Sequence, residues 1–139
     1  MERHPPANPA IDLFDEVCRA LIVGHGKDEG PVDTLNRVFR KNYALATGSL
    51  DFPRLTRADM TVSIESWPTW MLMDLIVRPT SHAPGSIKGI GKKARHYPDT
   101  PVVVARFRGR NYLMDGNRRV QYLNELGRPE IKVLACRIS

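Results

Sequence analysis

The spacing of hydrophobic positions changes several times along the chain, and each spacing predicts one type of element. Apolar residues that recur every three or four positions predict a first helix over residues 11–23 and a second helix that follows Pro31 and ends at Gly48. Alternation of apolar and polar residues then predicts a strand over residues 60–67. The chain therefore begins with a helical pair and continues into a strand.

The middle of the chain has a less decisive pattern. An apolar run begins at Pro68 and ends before Arg78, and it predicts a short helix. A buried strand is the alternative, because the run is short and apolar throughout. Residues 80–100 are rich in Gly, Ser and Pro and predict a long loop. A loop of that length inside a compact domain is usually functional or mobile.

The last part of the chain has the clearest pattern. It predicts a strand, a hairpin turn, a returning strand, a helix and a closing strand. These elements cover residues 100–107, 108–111, 111–114, 115–127 and 129–138 in that order. Runs of strands and helices that do not alternate regularly are typical of an α+β fold. We therefore predict an α+β domain preceded by an N-terminal helical pair.

These elements divide the chain into three regions. Residues 1–9 include three prolines and are predicted to form a flexible arm, residues 10–55 form the helical region, and residues 56–139 form the α+β domain. The composition, with 42% hydrophobic and 26% charged residues, is that of a soluble globular protein. The sequence has neither an apolar run of about 20 residues nor a signal-peptide pattern. We expect a cytoplasmic protein without a membrane partner.

The positive charge is concentrated in one part of the sequence. The net charge is +6, but residues 79–128 alone contain ten Lys or Arg and three acidic residues, which gives that segment +7. Clustering of this kind favours an anionic partner such as a nucleotide or a nucleic acid. The alternative is a basic face that only promotes solubility.

The junction between the returning strand and the last helix combines residues that suit anion binding. Arg118 and Arg119 lie in the first helical turn, where the macrodipole already concentrates positive charge. Gly116 allows a sharp turn and a close approach by phosphate, and Asp115 is predicted to cap the helix. Backbone amides and arginine together bind phosphate oxygens well. The alternative is a capped helix with solvated arginines.

The run YLMDGNRRVQYLNELGRPEIKVL resembles the core of the ParB/sulfiredoxin-like superfamily. In that family a strand leads into a Gly-x-x-Arg helix start that binds nucleotide phosphates, and the Gly and Arg correspond to Gly116 and Arg119. Arg118 takes the position of the first Arg in the "GERR" of ParB. The resemblance covers residues 101–138 and extends loosely back to Thr61. It implies a small mixed sheet with helices over residues 56–139. It also implies a nucleotide-phosphate site made of Asp115, Gly116, Asn117, Arg118 and Arg119.

Position 117 separates this chain from the catalytic members of the family. The nucleophilic Cys of sulfiredoxins and the catalytic Glu of ParB would both fall on Asn117, which is neither a nucleophile nor a base at neutral pH. Kinase-like members carry an acidic residue just past the early strand, where this chain has Glu65. Glu65 is therefore the candidate catalytic base, and a lone surface carboxylate is the alternative. Whether the chain catalyses a reaction stays open.

Four basic residues give the long loop its charge: Lys88, Lys92, Lys93 and Arg95. Such a loop can close over a nucleotide as a lid or contact nucleic acid, and a plain solvated loop is the alternative. The run KGIGKKA also resembles the hairpin of helix-hairpin-helix DNA-binding modules. Pro98, however, prevents a helix from continuing after it.

Metal and thiol chemistry are not indicated. His25, His82 and His96 lack ligand spacing, so we expect no metal site. Cys18 and Cys136 form neither a metal-ligand pair nor a disulfide framework, and we expect reduced thiols in the core.

The sequence therefore predicts a ParB-like protein that binds a nucleoside di- or triphosphate, with or without magnesium, and that acts on or regulates nucleic-acid transactions. A first alternative is a sequence-tolerant DNA- or RNA-binding protein that uses the basic segment 79–128. A second is an inactive interaction or regulatory protein with a protein partner or a homodimer contact. Trp67 and Trp70 could stack on a base or dock a partner, and packing in or beside the core is the alternative.

Overall fold

The computed structural model describes residues 12–25, 28–77 and 101–139. These residues form four helices and four strands, which confirms the predicted α+β class. The helices are α1 (Leu13–His25), α2 (Pro31–Thr47), α3 (Thr69–Asp74) and α4 (Asn117–Glu125). The strands are β1 (Met60–Pro68), β2 (Val102–Phe107), β3 (Arg110–Asp115) and β4 (Glu130–Ile138). No helix in these ranges is long and apolar enough to cross a membrane.

The four strands form one mixed sheet in the order β1-β4-β2-β3. β4 pairs antiparallel with β1 and parallel with β2, and β2 pairs antiparallel with β3. The hairpin between β2 and β3 is tighter than predicted. Arg108 and Gly109 form a two-residue turn with positive φ values of 52° and 80°, so Arg110 and Asn111 already belong to β3. Two positive φ values match the right-handed twist of the flanking strands.

One face of the sheet packs against α1 and α2. The shared cluster includes fully buried Leu21 and Phe39 from the helices and Val103 and Ala105 from β2. Tyr43 of α2 also contacts three aromatic rings, with centroid distances of 5.0–5.5 Å to Phe52, Phe107 and Tyr112. Burying each such side chain contributes about 1.5–3 kcal/mol. The predicted helical pair and the sheet therefore share one hydrophobic core.

The two cysteines lie in that same core as free thiols. Burial raises the pKa of Cys18 to about 11 and that of Cys136 to about 12. Both thiols therefore stay protonated at neutral pH, and a protonated buried thiol is a poor nucleophile. Both positions agree with the prediction of free thiols in the core.

The opposite face of the sheet packs against α3 and α4. Leu72 of α3 and Val120 and Leu123 of α4 are buried against the side chains of β2 and β4 that point away from α1 and α2. The start of α3 is tied to the segment between α4 and β4, because the backbone N–H of Thr69 donates to the carbonyl of Pro129 at 2.9 Å. The predicted short helix after β1 is thus confirmed over the alternative of a buried strand.

Candidate functional site

Gly116 forms the sharp turn between β3 and α4. Its backbone has φ 106° and ψ 17°, a conformation that side-chain-bearing residues rarely adopt. A Cβ atom at this position would lie 2.5 Å from Cγ1 of Val102 and 2.8 Å from its Cβ. The chain therefore crosses directly over Val102 before the helix begins. The turn predicted at Gly116 is confirmed, and it requires glycine for both its φ angle and its close contact.

Asp115 does not cap α4, so that prediction was wrong. Gly116 is the N-cap residue, and the helix has no side-chain cap hydrogen bond. The Asp115 carboxylate lies instead 2.8 Å from Nε2 of His25, at the end of α1. Its side chain is only 13% exposed there. This carboxylate is therefore engaged by a residue from the other side of the sheet.

A bulge in β3 explains the direction of the Asp115 side chain. Val104 pairs with Leu113, but the next residue of β2, Val103, pairs with Asp115, so that Met114 is an extra residue. An extra residue shifts the side chains that follow it to the other face of the sheet. Asp115 consequently shares the face of Val103, which packs against α1 and α2.

The side chain of Arg119 is partly buried beside the turn at Gly116. Its Nη1 donates to the carbonyl oxygen of Pro101 at 3.0 Å. The same atom is 3.4 Å from the place that a Cβ on Gly116 would occupy. The guanidinium is thus held at the helix start by the first residue before β2. Part of its hydrogen-bonding capacity serves the fold, so Arg119 is both a structural and a candidate binding residue.

Asn117 and Arg118 complete the first turn. The amide of Gln121 donates to the side-chain oxygen of Asn117 at 2.8 Å, which orients the Asn117 side chain along the helix. Arg118 is exposed. The first turn of α4 contains no acidic residue. Two arginines therefore lie at the positive end of the helix dipole, an arrangement that favours bound anions.

Glu65 lies elsewhere on the sheet and is already engaged. Its carboxylate accepts hydrogen bonds from Ser63 Oγ at 2.6 Å, Trp67 Nε1 at 2.8 Å and Arg137 Nη2 at 3.1 Å. These bonds, chiefly those from Ser63 and Trp67, lower the pKa of Glu65 below its ordinary value. A carboxylate with a lowered pKa is a weak proton acceptor at neutral pH. Glu65 is also two strands, about 10 Å, from Val102.

The other predicted site residues divide into two groups. Trp67 is half-buried against α3 and β4, as the packing alternative predicted, whereas Trp70 is 66% exposed. The remaining candidates lie outside the described residues, and they are Lys88, Lys92, Lys93, Arg95, His82, His96 and the predicted arm at residues 1–9. Within the described part of the chain, no group of three His, Cys, Asp or Glu side chains could hold a metal ion.

Two contacts at the end of β3 have no signal in the sequence. His25 binds Asp115 across 90 positions of sequence, and Nδ2 of Asn42 on α2 donates to the Met114 carbonyl at 3.1 Å. Both contacts fix the strand end from which α4 starts. A local sequence pattern does not indicate either contact, because the two partners are far apart in sequence and each is an ordinary polar residue in or near a helix.

The fold and the site define a structural class: a four-stranded mixed sheet with a helix that starts at a glycine and has two arginines in its first turn. Comparison of the chain with known protein families, with curated proteins and with solved structures found no match. The resemblance to the ParB/sulfiredoxin-like superfamily therefore stays a prediction.

Proposed function

We propose that the protein binds a phosphorylated ligand, a nucleotide, at the first turn of α4. The observation that carries this proposal is the direction of Asp115. Its carboxylate binds His25 on α1, so the helix begins without a side-chain cap and without an acid in its first turn, next to two arginines. Glycine is required at the N-cap by its φ angle and by its contact with Val102, but an acid in the first turn would stabilise the helix, and the chain has Arg118 and Arg119 there instead.

The two arginines at the helix start are repelled by the positive end of the helix dipole. Each cation in the first turn of a helix is unfavourable by about 0.3–1 kcal/mol, and Arg118 and Arg119 both lie there. A phosphate group reverses the sign of that term, because it binds the guanidinium groups and the backbone amides together. Gly116 lets the ligand approach the backbone, Arg119 is oriented by the Pro101 carbonyl, and Arg118 reaches the ligand from solvent.

The choice of a nucleotide follows from the ParB/sulfiredoxin-like resemblance and from the charge of the surrounding segment. Residues 79–128 carry +7, more than one phosphate group requires. In this proposal the basic residues from Lys88 to Arg95 close over the phosphates, with or without magnesium. Asn117 supplies neither a nucleophile nor a base, so the proposed activity is binding rather than catalysis.

The first test measures the melting temperature with a panel of nucleotides and inorganic phosphates, each with and without magnesium. A ligand at about ten times its dissociation constant adds about 1.4 kcal/mol, or about 4 °C for a domain of this size. We expect Arg118→Gln to weaken binding about tenfold or more, because it removes a charge-assisted hydrogen bond.

The matched control for that variant is Arg128→Gln. Arg128 is exposed just beyond the other end of α4, so this variant removes the same charge far from the proposed site. It should keep the thermal shift. Equal loss of the shift in both variants would point to general charge effects, and no shift with any ligand would contradict the proposal.

A second candidate is nucleic-acid binding, and the β2–β3 hairpin favours it. Three exposed arginines lie in the five-residue stretch 106–110, which contains the hairpin tip, and they are Arg106, Arg108 and Arg110. Arg108 lies over the Phe107 ring at 4.7 Å and Arg110 over the Tyr112 ring at 5.3 Å. Rings hold both guanidinium groups near the surface, where they could contact backbone phosphates.

The salt dependence of DNA binding tests this second candidate. The logarithm of the binding constant should fall with slope about −0.9 per duplex phosphate neutralised. The double variant Arg108→Gln, Arg110→Gln should reduce the slope by about 2, whereas the control Arg19→Gln, on the exposed surface of α1, should leave it unchanged. A binding constant that does not change with salt would contradict it.

A further inference from the structure

A pocket lies on the sheet face that carries α3 and α4, beyond the end that these helices cover. Its floor consists of Val104 of β2 and Ala135 of β4, and its walls are Trp67 and Met71. Ala135 is smaller than its neighbours along the strand, so the sheet surface dips there. The cavity has a volume of about 110 Å³, roughly that of four water molecules.

Polar side chains form the rim of the pocket. Arg106 continues the alternation of Val102 and Val104 on β2, and Arg137 continues that of Val133 and Ala135 on β4. In both strands the apolar series therefore ends in an arginine that faces the same side. Asn111, the cross-strand partner of Arg106 on β3, completes the rim. The pocket thus has an apolar floor and a cationic edge.

The two arginines of the rim are neighbours in the sheet. Arg106 and Arg137 are register partners on the parallel strands β2 and β4, which lie about 4.8 Å apart. Like charges on adjacent strand positions repel each other. Among the residues that the structure describes, Arg106 has neither a hydrogen-bond nor an ion-pair partner for its side chain. An anion between the two guanidinium groups would remove this repulsion.

Arg137 is held in place from β1. Its Nη1 donates to Ser63 Oγ at 3.2 Å and its Nη2 to Glu65 at 3.1 Å. Glu65 also accepts the indole N–H of Trp67 at 2.8 Å. One carboxylate thus positions both a cation of the rim and an aromatic wall of the pocket. It balances only one of the two arginines, so the rim keeps a net positive charge.

We propose that this pocket binds a small aromatic carboxylate. The carboxylate group lies between Arg106 and Arg137, where guanidinium groups can bind both of its oxygens. The ring rests on Val104 and Ala135, beside Trp67. A volume of about 110 Å³ is of the size of a single ring. An aliphatic acid as small as acetate would leave most of the pocket volume unfilled, and a neutral ring would leave the arginines in mutual repulsion.

The pocket is separate from the helix start of α4. Arg106 lies four residues along β2 from Val102, which Gly116 crosses, and four residues of strand span about 13 Å. Neither arginine of the rim belongs to the first turn of α4. The two proposals therefore fail or succeed independently.

Tryptophan fluorescence tests the proposal, with benzoate as the probe. The chain has two tryptophans, and Trp70 is 66% exposed, so Trp70→Phe leaves Trp67 as the only reporter at little cost to the fold. In this background we expect a saturable change in emission with a dissociation constant of about 1 mM. The indole N–H signal of Trp67 in NMR spectra should shift over the same range. Benzyl alcohol and acetate should produce neither change at these concentrations.

Two arginine variants locate the anion. Arg106→Gln should weaken benzoate binding about tenfold, because it removes the guanidinium that lacks an acid of its own. Arg110→Gln is the control, since Arg110 directly follows the turn that Arg106 precedes by two positions, but it stacks on Tyr112 on the other face of the sheet.

Three results would overturn the proposal. The first is no saturable change up to roughly fifty times the expected dissociation constant. The second is equal binding of benzyl alcohol and benzoate, which would mean that the arginines contribute nothing. The third is an unchanged affinity in Arg106→Gln while the variant remains folded by circular dichroism.

Discussion

Gly116→Ala should lower the free energy of unfolding by about 3 kcal/mol, although it adds only one methyl group. Two costs combine at this position. The φ angle of 106° is unfavourable for any residue with a Cβ atom, and the new Cβ would lie 2.5 Å from Cγ1 of Val102. Val102 is fully buried and cannot move away without disturbing the core. Urea unfolding followed by circular dichroism measures the loss.

Gly127→Ala is the matched control for this variant. Gly127 also has a positive φ, of 75°, but no atom lies within 4 Å of the place that its Cβ would take. The free energy of unfolding of Gly127→Ala should therefore fall only by the cost of the positive φ angle, about 1 kcal/mol. The difference between the two variants isolates the contact with Val102. Equal losses would mean that the turn at Gly116 does not pass over Val102 as described.

Phe39→Ala should cost about 4 kcal/mol, the largest effect that we expect from truncating a side chain of α2. Phe39 is fully buried in the cluster shared by α1, α2 and the sheet. The variant leaves a cavity under the sheet that close-packed neighbours cannot fill. The control is Leu45→Ala on the same helix, where the side chain is 39% exposed and the expected loss is below about 1 kcal/mol.

The cluster shared by α1, α2 and the sheet indicates that the helical pair and the sheet fold as one unit. Removal of residues 1–55 would expose the apolar face formed by β2, β3 and β4, so residues 56–139 should not fold cooperatively alone. A truncated protein that unfolds in a single sharp transition would contradict this. A small effect of Phe39→Ala would contradict it as well, because the helical pair would then be a loosely attached addition.

Local patterns predicted most elements of the fold. The alternation of Ile131, Val133 and Ala135 with Leu134 correctly predicted β4 and the face on which each side chain lies. β4 is a central strand, so one of its faces packs against α3 and α4 and the other against α1 and α2. The helical spacing of α2 and its ending at Gly48 were also correct, since Gly48 has a positive φ of 76° and its N–H donates to the Ala44 carbonyl.

The error at Asp115 has a specific physical cause. Capping preferences are local, and by that measure Asp before Gly-Asn is a good cap. The bulge at Met114 reverses the side-chain direction of a single residue, and a partner 90 positions away then binds it. Neither feature leaves a periodic signal. The arginine pair on β2 and β4, by contrast, could have been predicted, because Arg106 and Arg137 both continue an inward-facing alternation.

The central claim is that the first turn of α4 binds phosphate groups, and an NMR titration tests it most directly. Amide signals of uniformly ¹⁵N-labelled protein would be followed as a nucleoside triphosphate is added. We predict saturable shifts at Asn117, Arg118 and Arg119 with one common dissociation constant, weakened by Arg118→Gln and kept in Arg128→Gln. If these three amides do not move, or if only the hairpin amides of Arg108 and Gly109 respond, the claim is contradicted.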